Sequence, residues 1–176
     1  MRTRLNKGYV QIYTGDGKGK STAAFGLALR AAGHGLRSYI GQFMKGQQYG
    51  EHNAFKSLPL VTVELFGKNT FIHVKTKTEE DATMAKEGLE KARRAMLSGD
   101  YDIVILDEVN VAIHFGLLSV DQVLDFIDGK PDRVELILTG RRAPAELIAR
   151  ADLVTEMKEI KHYYQSGVSS RNGIER

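Results

Sequence analysis

Cysteine is absent from the 176-residue chain. That excludes a disulfide framework, a zinc finger, an iron–sulfur site and a thiol nucleophile, and it fits a reducing compartment. Long apolar runs are also missing, since none approaches the ~20 residues needed to cross a bilayer, so no membrane partner is expected. The opening MRTRLNKGYVQIY carries positive charge without a long apolar segment behind it. It does not read as a secretory leader, and the expected location is the cytoplasm. His34, His52, His73, His114 and His162 show no H-x-x-x-H spacing, which argues against zinc. Internal repeats, low-complexity tracts and linkers are lacking as well.

What remains is the balance of an ordinary globular protein, with 42% apolar and 27% charged residues. The length suits one domain over residues 1–176 with a single sizeable core. Net charge is +3, yet the lysines and arginines are spread along the chain, so no nucleic-acid partner is expected.

Apolar, β-branched segments alternate with helix-like ones. Strands are expected at Tyr9 to Thr14, Arg37 to Phe43, Leu60 to Phe66, Tyr101 to Leu106, Leu136 to Thr139 and Val154 to Met157. Tyr101 to Leu106 is nearly all apolar, as suits a strand buried on both faces. Ser21 to Ala32 predicts a helix with Phe25, Leu29 and Ala32 on one face and Gly33 as its stop. Thr78, followed by Glu79, Glu80 and Asp81, predicts an N-cap and a helix reaching about Leu97. Ser119 with Gln122 forms a capping-box pattern ahead of VDQVLDFI, and Pro144 suits the first turn of a last helix. The pattern predicts an α/β fold, a mostly parallel central sheet flanked by helices on both faces. Gly67 to Lys77 has no clear periodicity and is a candidate active-site loop.

The strongest chemical signal is TGDGKGKST, Thr14 to Thr22, between the first strand and the first helix. Gly15, Gly17 and Gly19 let successive N–H groups converge on an anion, with Asp16 and Lys18 between them. The start of the helix adds partial positive charge, and Lys20 adds a full one for the outer phosphates of ATP. Ser21 and Thr22 supply hydroxyls, one of which can ligate the accompanying Mg2+ or Mn2+. Thr14 stands where the usual P-loop pattern has glycine, so this is a variant of that loop. The fourth strand ends in Asp107 and Glu108, at the strand end where open α/β sheets bind ligands. Paired carboxylates there can hold the metal directly or through water.

Further motifs come in order: AFGLALRAAGHG (24–35), QFMKG (42–46), ILDEV (105–109), LTGRRAP (138–144) and ADLVTEMKEIKHYYQSGVSSRNGIE (151–175). With the loop, this series resembles the P-loop-type ATP:corrinoid adenosyltransferases over nearly the whole chain. The resemblance extends to the threonine that opens the loop. It implies a RecA-like single-domain P-loop fold, a homodimer, and transfer of the 5′-deoxyadenosyl group of ATP to the reduced cobalt of a corrinoid with release of triphosphate. It further implies that residues 15–22 hold the triphosphate and that Ser21 or Thr22 with Glu108 holds the metal. Lys20 and Glu108 would be the catalytic groups, and Arg30, Gln42 and Lys45 would lie near the nucleotide or corrinoid. The reduced cobalt is itself the nucleophile, so no catalytic triad is needed. A flavoprotein reductase is the candidate partner that supplies it.

The chain departs from the family in having no tryptophan. Phe71-Ile72-His73 falls where the family carries Phe-x-Trp, so Phe71 matches the phenylalanine and His73 replaces the tryptophan beside the corrinoid. The competing readings are a small-molecule kinase or ATPase with the same loop, and an ATP-sensing protein without turnover. Products separate them: triphosphate, ADP or none.

Overall fold

The computed structural model describes residues 3–68 and 77–175. Six strands form one parallel sheet: β1 (Val10–Thr14), β2 (Ser38–Phe43), β3 (Val61–Phe66), β4 (Ile103–Asp107), β5 (Glu135–Thr139) and β6 (Leu153–Glu156), in the order β3-β2-β4-β5-β1-β6. Every pairing is parallel. Burial follows position in the sheet. The inner strands β2, β4 and β5 are buried at every residue, whereas the edge strand β6 is exposed throughout.

Period-2 alternation sorts the inner strands between two cores. Val104, Leu106, Leu136 and Leu138 pack on one face with α3 (Glu79–Leu97), α5 (Val120–Asp128) and α6 (Ala145–Arg150). Ile103, Ile105, Ile137 and Ile40 pack on the other with α1 (Lys20–Ala32) and, through Phe55, α2 (Gly50–Phe55). The expected α/β fold with helices on both faces is therefore present. Helix α4 (Val109–His114) follows β4 directly.

The expected caps at Thr78 and Ser119 are formed, the side chains accepting from the N–H groups of Asp81 and Gln122. Two local expectations are corrected, the buried face of α1 and the place of Pro144. The buried face of α1 is Ala24, Phe25, Ala28 and Ala31, while Leu29 is 56% exposed. As expected, helix α1 ends at Ala32 with Gly33 as its C-cap; Gly33 keeps right-handed φ, and the left-handed residue is Gly35 (φ 76°), after which Leu36 N–H returns to Ala31 O at 3.0 Å. Pro144 is the N-cap of α6, one residue before its first turn. The six-residue helices α2 and α4 have no counterpart in the sequence expectations.

Two glycines in helices should respond oppositely to alanine. A Cβ on Gly88 would be driven into the ring of buried Phe66, whereas one on Gly26, mid-helix in α1, would meet nothing within 4 Å. Gly88→Ala is expected to lose about 1–3 kcal/mol through overpacking. Gly26→Ala is expected to gain about 0.5–1 kcal/mol from helix entropy. Urea denaturation midpoints of the two variants test both signs.

Candidate active site

A parallel sheet places the carboxyl ends of all its strands along one edge. β1 exits to α1 on one face while its neighbour β5 exits to α6 on the other, so the chain opens a crevice beside β1. Among the described residues, the non-glycine positions with left-handed backbone are Met44 (φ 58°), Glu108 (φ 61°) and Arg142 (φ 59°). They follow β2, β4 and β5, so all three lie on this edge. Such conformations cost about 1–3 kcal/mol each and gather at functional sites.

The loop Thr14–Thr22 sits in the crevice. Gly15 (φ 93°) and Gly19 (φ 120°) have left-handed backbone that a side chain would strain. Gly17 N–H donates to Met157 O at 2.7 Å, and a Cβ on Gly17 would stand 2.7 Å from that oxygen. Thr14 is buried, and its hydroxyl accepts the N–H of Ala143 at 3.2 Å. Threonine at this first position therefore ties the loop after β5 to the loop after β1, which glycine would not do. Lys20 is buried, its ammonium donating to Gly15 O (2.8 Å) and Gly17 O (2.7 Å). Burial pulls its pKa down, partly offset by Glu108, Asp16 and Asp107. No side chain caps the start of α1, so its first N–H groups point into the crevice as an anion site.

Across from the loop stands Asp107, with no solvent exposure. Its carboxylate accepts from Thr139 Oγ1 (2.7 Å), Gln42 Nε2 (2.8 Å) and Lys45 Nζ (3.2 Å), and the Ser21 side chain beside it adds to their pull. Burial alone would raise its pKa; Lys45 and these hydrogen bonds outweigh burial and hold it below the usual carboxylate value. Glu108 behaves oppositely. Burial and the Asp107 charge raise its pKa, against the pull of Lys45, Lys20 and Arg141. Lys45 is kept charged by the same two carboxylates despite its own burial.

The structure brings Gly15, Gly17, Gly19, Lys20, Ser21, Gln42, Lys45 and Glu108 to one edge. Asp16 is exposed and reaches Arg141 at 3.9 Å, and Thr22 is exposed on α1. Arg30 is exposed ten residues beyond Lys20, about 15 Å along the helix axis, and is not brought to the loop. Phe71 and His73 lie outside the described residues, as does most of the candidate loop 67–77.

Sequence reasoning missed three contributors. Thr139 bridges the acidic pair, accepting Glu108 N–H (3.0 Å) while donating to Asp107. His52 contacts the far end of Gln42. The tail folds back on the loop: Lys18 Nζ donates to Glu175 Oε1 (2.7 Å), Tyr163 OH (3.0 Å) and Ile174 O (3.1 Å). Arg171 donates to both oxygens of Glu175, at 3.1 and 3.3 Å, and stacks over Tyr163. These contacts hold the Glu175 pKa far below its usual value. An open cleft of about 340 Å³ runs beside them, lined by Gly17, Lys18 and residues 158–163.

The donor set fits a hard divalent cation. Ser21, Asp107 and Glu108 offer only oxygen, the set that Mg2+ and Mn2+ take. Among the described residues no cluster of three or more acidic or histidine side chains could hold a metal unaided.

A glycine loop at an uncapped helix start, a buried lysine within it and a buried carboxylate at the neighbouring strand end define a P-loop ATP-binding α/β enzyme. Residues 6–176 match the family described as ATP:corrinoid adenosyltransferase BtuR/CobO/CobP, and the chain belongs to that family. A corrinoid adenosyltransferase of Pseudomonas aeruginosa is 34% identical over 99% of this chain and 86% of its own. One from Sinorhizobium sp is 36% identical over 99% and 84%, and one from Escherichia coli K12 is 33% identical over 96% and 86%. The protein is accordingly an adenosyltransferase.

Because the folded pKa of Glu108 is raised above its ordinary 4.5, its contribution to stability is full below pH 4.5 and is lost as pH rises through the folded value. Glu108→Gln should thus be more stable than the wild type at neutral pH, with the gain vanishing below pH 4.5, although turnover falls. Thermal melts across pH, alongside activity, check the sign. Glu175→Gln should leave the melting temperature nearly unchanged, since its ion pairs are surface ones, yet speed tryptic cleavage at Arg171.

Proposed function

We propose that residues 15–22 hold the triphosphate of ATP and that C5′ of its ribose faces a corrinoid bound over the same sheet edge. An electron pair on cobalt(I) of the corrinoid forms the Co–C5′ bond. The C5′–O bond breaks, its electrons leave with triphosphate as one piece, and the cobalt ends at the +3 level. The role is formation of adenosylcobalamin, in biosynthesis or salvage.

The observation that carries this reading is Lys20, buried inside the glycine loop with its ammonium on Gly15 O and Gly17 O, facing the buried acidic end of β4. Ser21 with Asp107 or Glu108 would hold Mg2+ or Mn2+, which neutralises charge on the departing phosphates. Lys20, Lys18 and the N–H groups at the start of α1 bind and orient the triphosphate, and such preorganised donors act mainly where charge develops. Lys45 and Gln42 fix Asp107 and border the space above β2. Arg30, Phe71 and His73 are proposed, on the resemblance, to meet nucleotide or corrinoid, Arg30 from a different part of the assembly than the loop. The enzyme works as a homodimer in the cytoplasm, with a flavoprotein reductase supplying cobalt(I). Within the described residues no helix is long and apolar enough to cross a membrane.

Mixing the protein with ATP, magnesium and chemically reduced cob(I)alamin should yield a light-sensitive adenosylcorrinoid and one triphosphate per turnover. ADP with phosphate and no corrinoid change would move the protein to the kinase or ATPase class. Lys20→Ala should lower kcat by ~10²–10³-fold, the usual effect of removing one preorganised donor; near-normal turnover would refute the site.

A further inference from the structure

His52 is buried on α2, well away from the loop in sequence, and no part of the transfer chemistry above uses it. Its Nδ1 accepts the N–H of Tyr49 at 2.6 Å. A backbone N–H can only donate, so Nδ1 carries no proton and a neutral ring must carry it on Nε2. Burial favours that neutral ring. Nε2 therefore donates to Gln42 Oε1, with which it is in contact. That fixes the Gln42 amide, whose Nε2 is left facing Asp107 and donates to it at 2.8 Å. Both Gln42 and Asp107 have no solvent exposure, so water cannot replace either contact.

We propose that His52 is a positioning residue: through Gln42 it sets the orientation of the Asp107 carboxylate. The inference rests on Asp107 lying at the metal–phosphate site. An amide alone can face a carboxylate with either end, and the oxygen end would repel it. A donor locked at Oε1 removes that choice. The direction of the whole chain, from Tyr49 N–H through His52 and Gln42 to Asp107, is set by one backbone group. Partners of this outer kind typically change ligand affinity or activity 10–100-fold when removed.

His52 also holds the first turn of α2 through the Tyr49 N–H, so a purely local role must be separated from the relay. Two near-isosteric variants do this. His52→Asn keeps an acceptor near Nδ1 but cannot reach Gln42; His52→Gln keeps a donor near Nε2 but loses the Tyr49 contact. The experiment measures thermal stability, calorimetric affinity for inorganic triphosphate with magnesium, and kcat and KM for ATP and cob(I)alamin. It covers the wild type, both variants, Gln42→Met and the His52→Asn/Gln42→Met double variant. The expected result is a ~10–100-fold loss in magnesium-triphosphate affinity or kcat for His52→Asn. His52→Gln should stay within a few-fold of wild type, and the double variant should be no worse than Gln42→Met alone. The reverse ranking, or multiplicative losses in the double variant, would overturn the relay while leaving the nucleotide site in place. Failure of the wild type itself to bind magnesium triphosphate would overturn both.

Discussion

A carboxylate without solvent exposure is tolerable only when donors replace the water it has lost. Asp107 finds them on β2 (Gln42), just past β2 (Lys45) and on β5 (Thr139). Since Asp107 itself ends β4, one charge joins three adjacent strands, with Ser21 at the start of α1 beside it. Removing any donor leaves a buried charge short of partners, which costs more than the lost bond. The acidic strand end beside the loop is therefore fixed by the same donors that would orient it toward a metal and phosphate. Structure and chemistry are not separable at this residue.

The same edge concentrates strain. Glu108 must turn left-handed at φ 61° immediately after Asp107, and Thr139 makes this possible by accepting its N–H while donating to Asp107. The turn sends the two neighbouring carboxyl groups into different surroundings, one fully donor-satisfied and one not. Their pKa values move apart, Asp107 down and Glu108 up, for that reason. Two like charges side by side gain by such a division, because the less satisfied group holds a proton more readily.

What the sequence disclosed was whatever a short run of residues determines on its own. The helix caps at Thr78 and Ser119 depend on contacts three residues away, and they form as expected. The fully buried strand β4 could be read from its nearly continuous apolar run, whereas β2, SYIGQF, buries Ser38 and Gln42 as well. Helix α1 shows the limit of that reading. Phe25, Leu29 and Ala32 have helical spacing, but α1 lies against the sheet through Ala24, Ala28 and Ala31, whose small size permits close approach, and Leu29 is left outside. The short helix α2 was invisible because His52, rather than an acidic or amide side chain, meets the N–H of Tyr49. The contact between Gln42 and Asp107 spans 65 residues and depends on strand order, which no local pattern encodes.

The loop glycines show why motif and mechanism must be argued separately. Gly15 and Gly17 were read as backbone freed for phosphate, yet both are also required by the chain leaving β6, which passes so close that a Cβ on either would collide with Met157. Their presence alone is thus explained by packing. The tail makes the same point from the other end of the chain. Its closing Gly-Ile-Glu brings Glu175 to Lys18, so a signature recognised as a string is physically a closure of the C-terminus onto the loop. What packing does not explain is the uncapped start of α1 and a lysine buried inside the glycine turn. Those two features, each costly in a protein without a bound polyanion, carry the nucleotide reading.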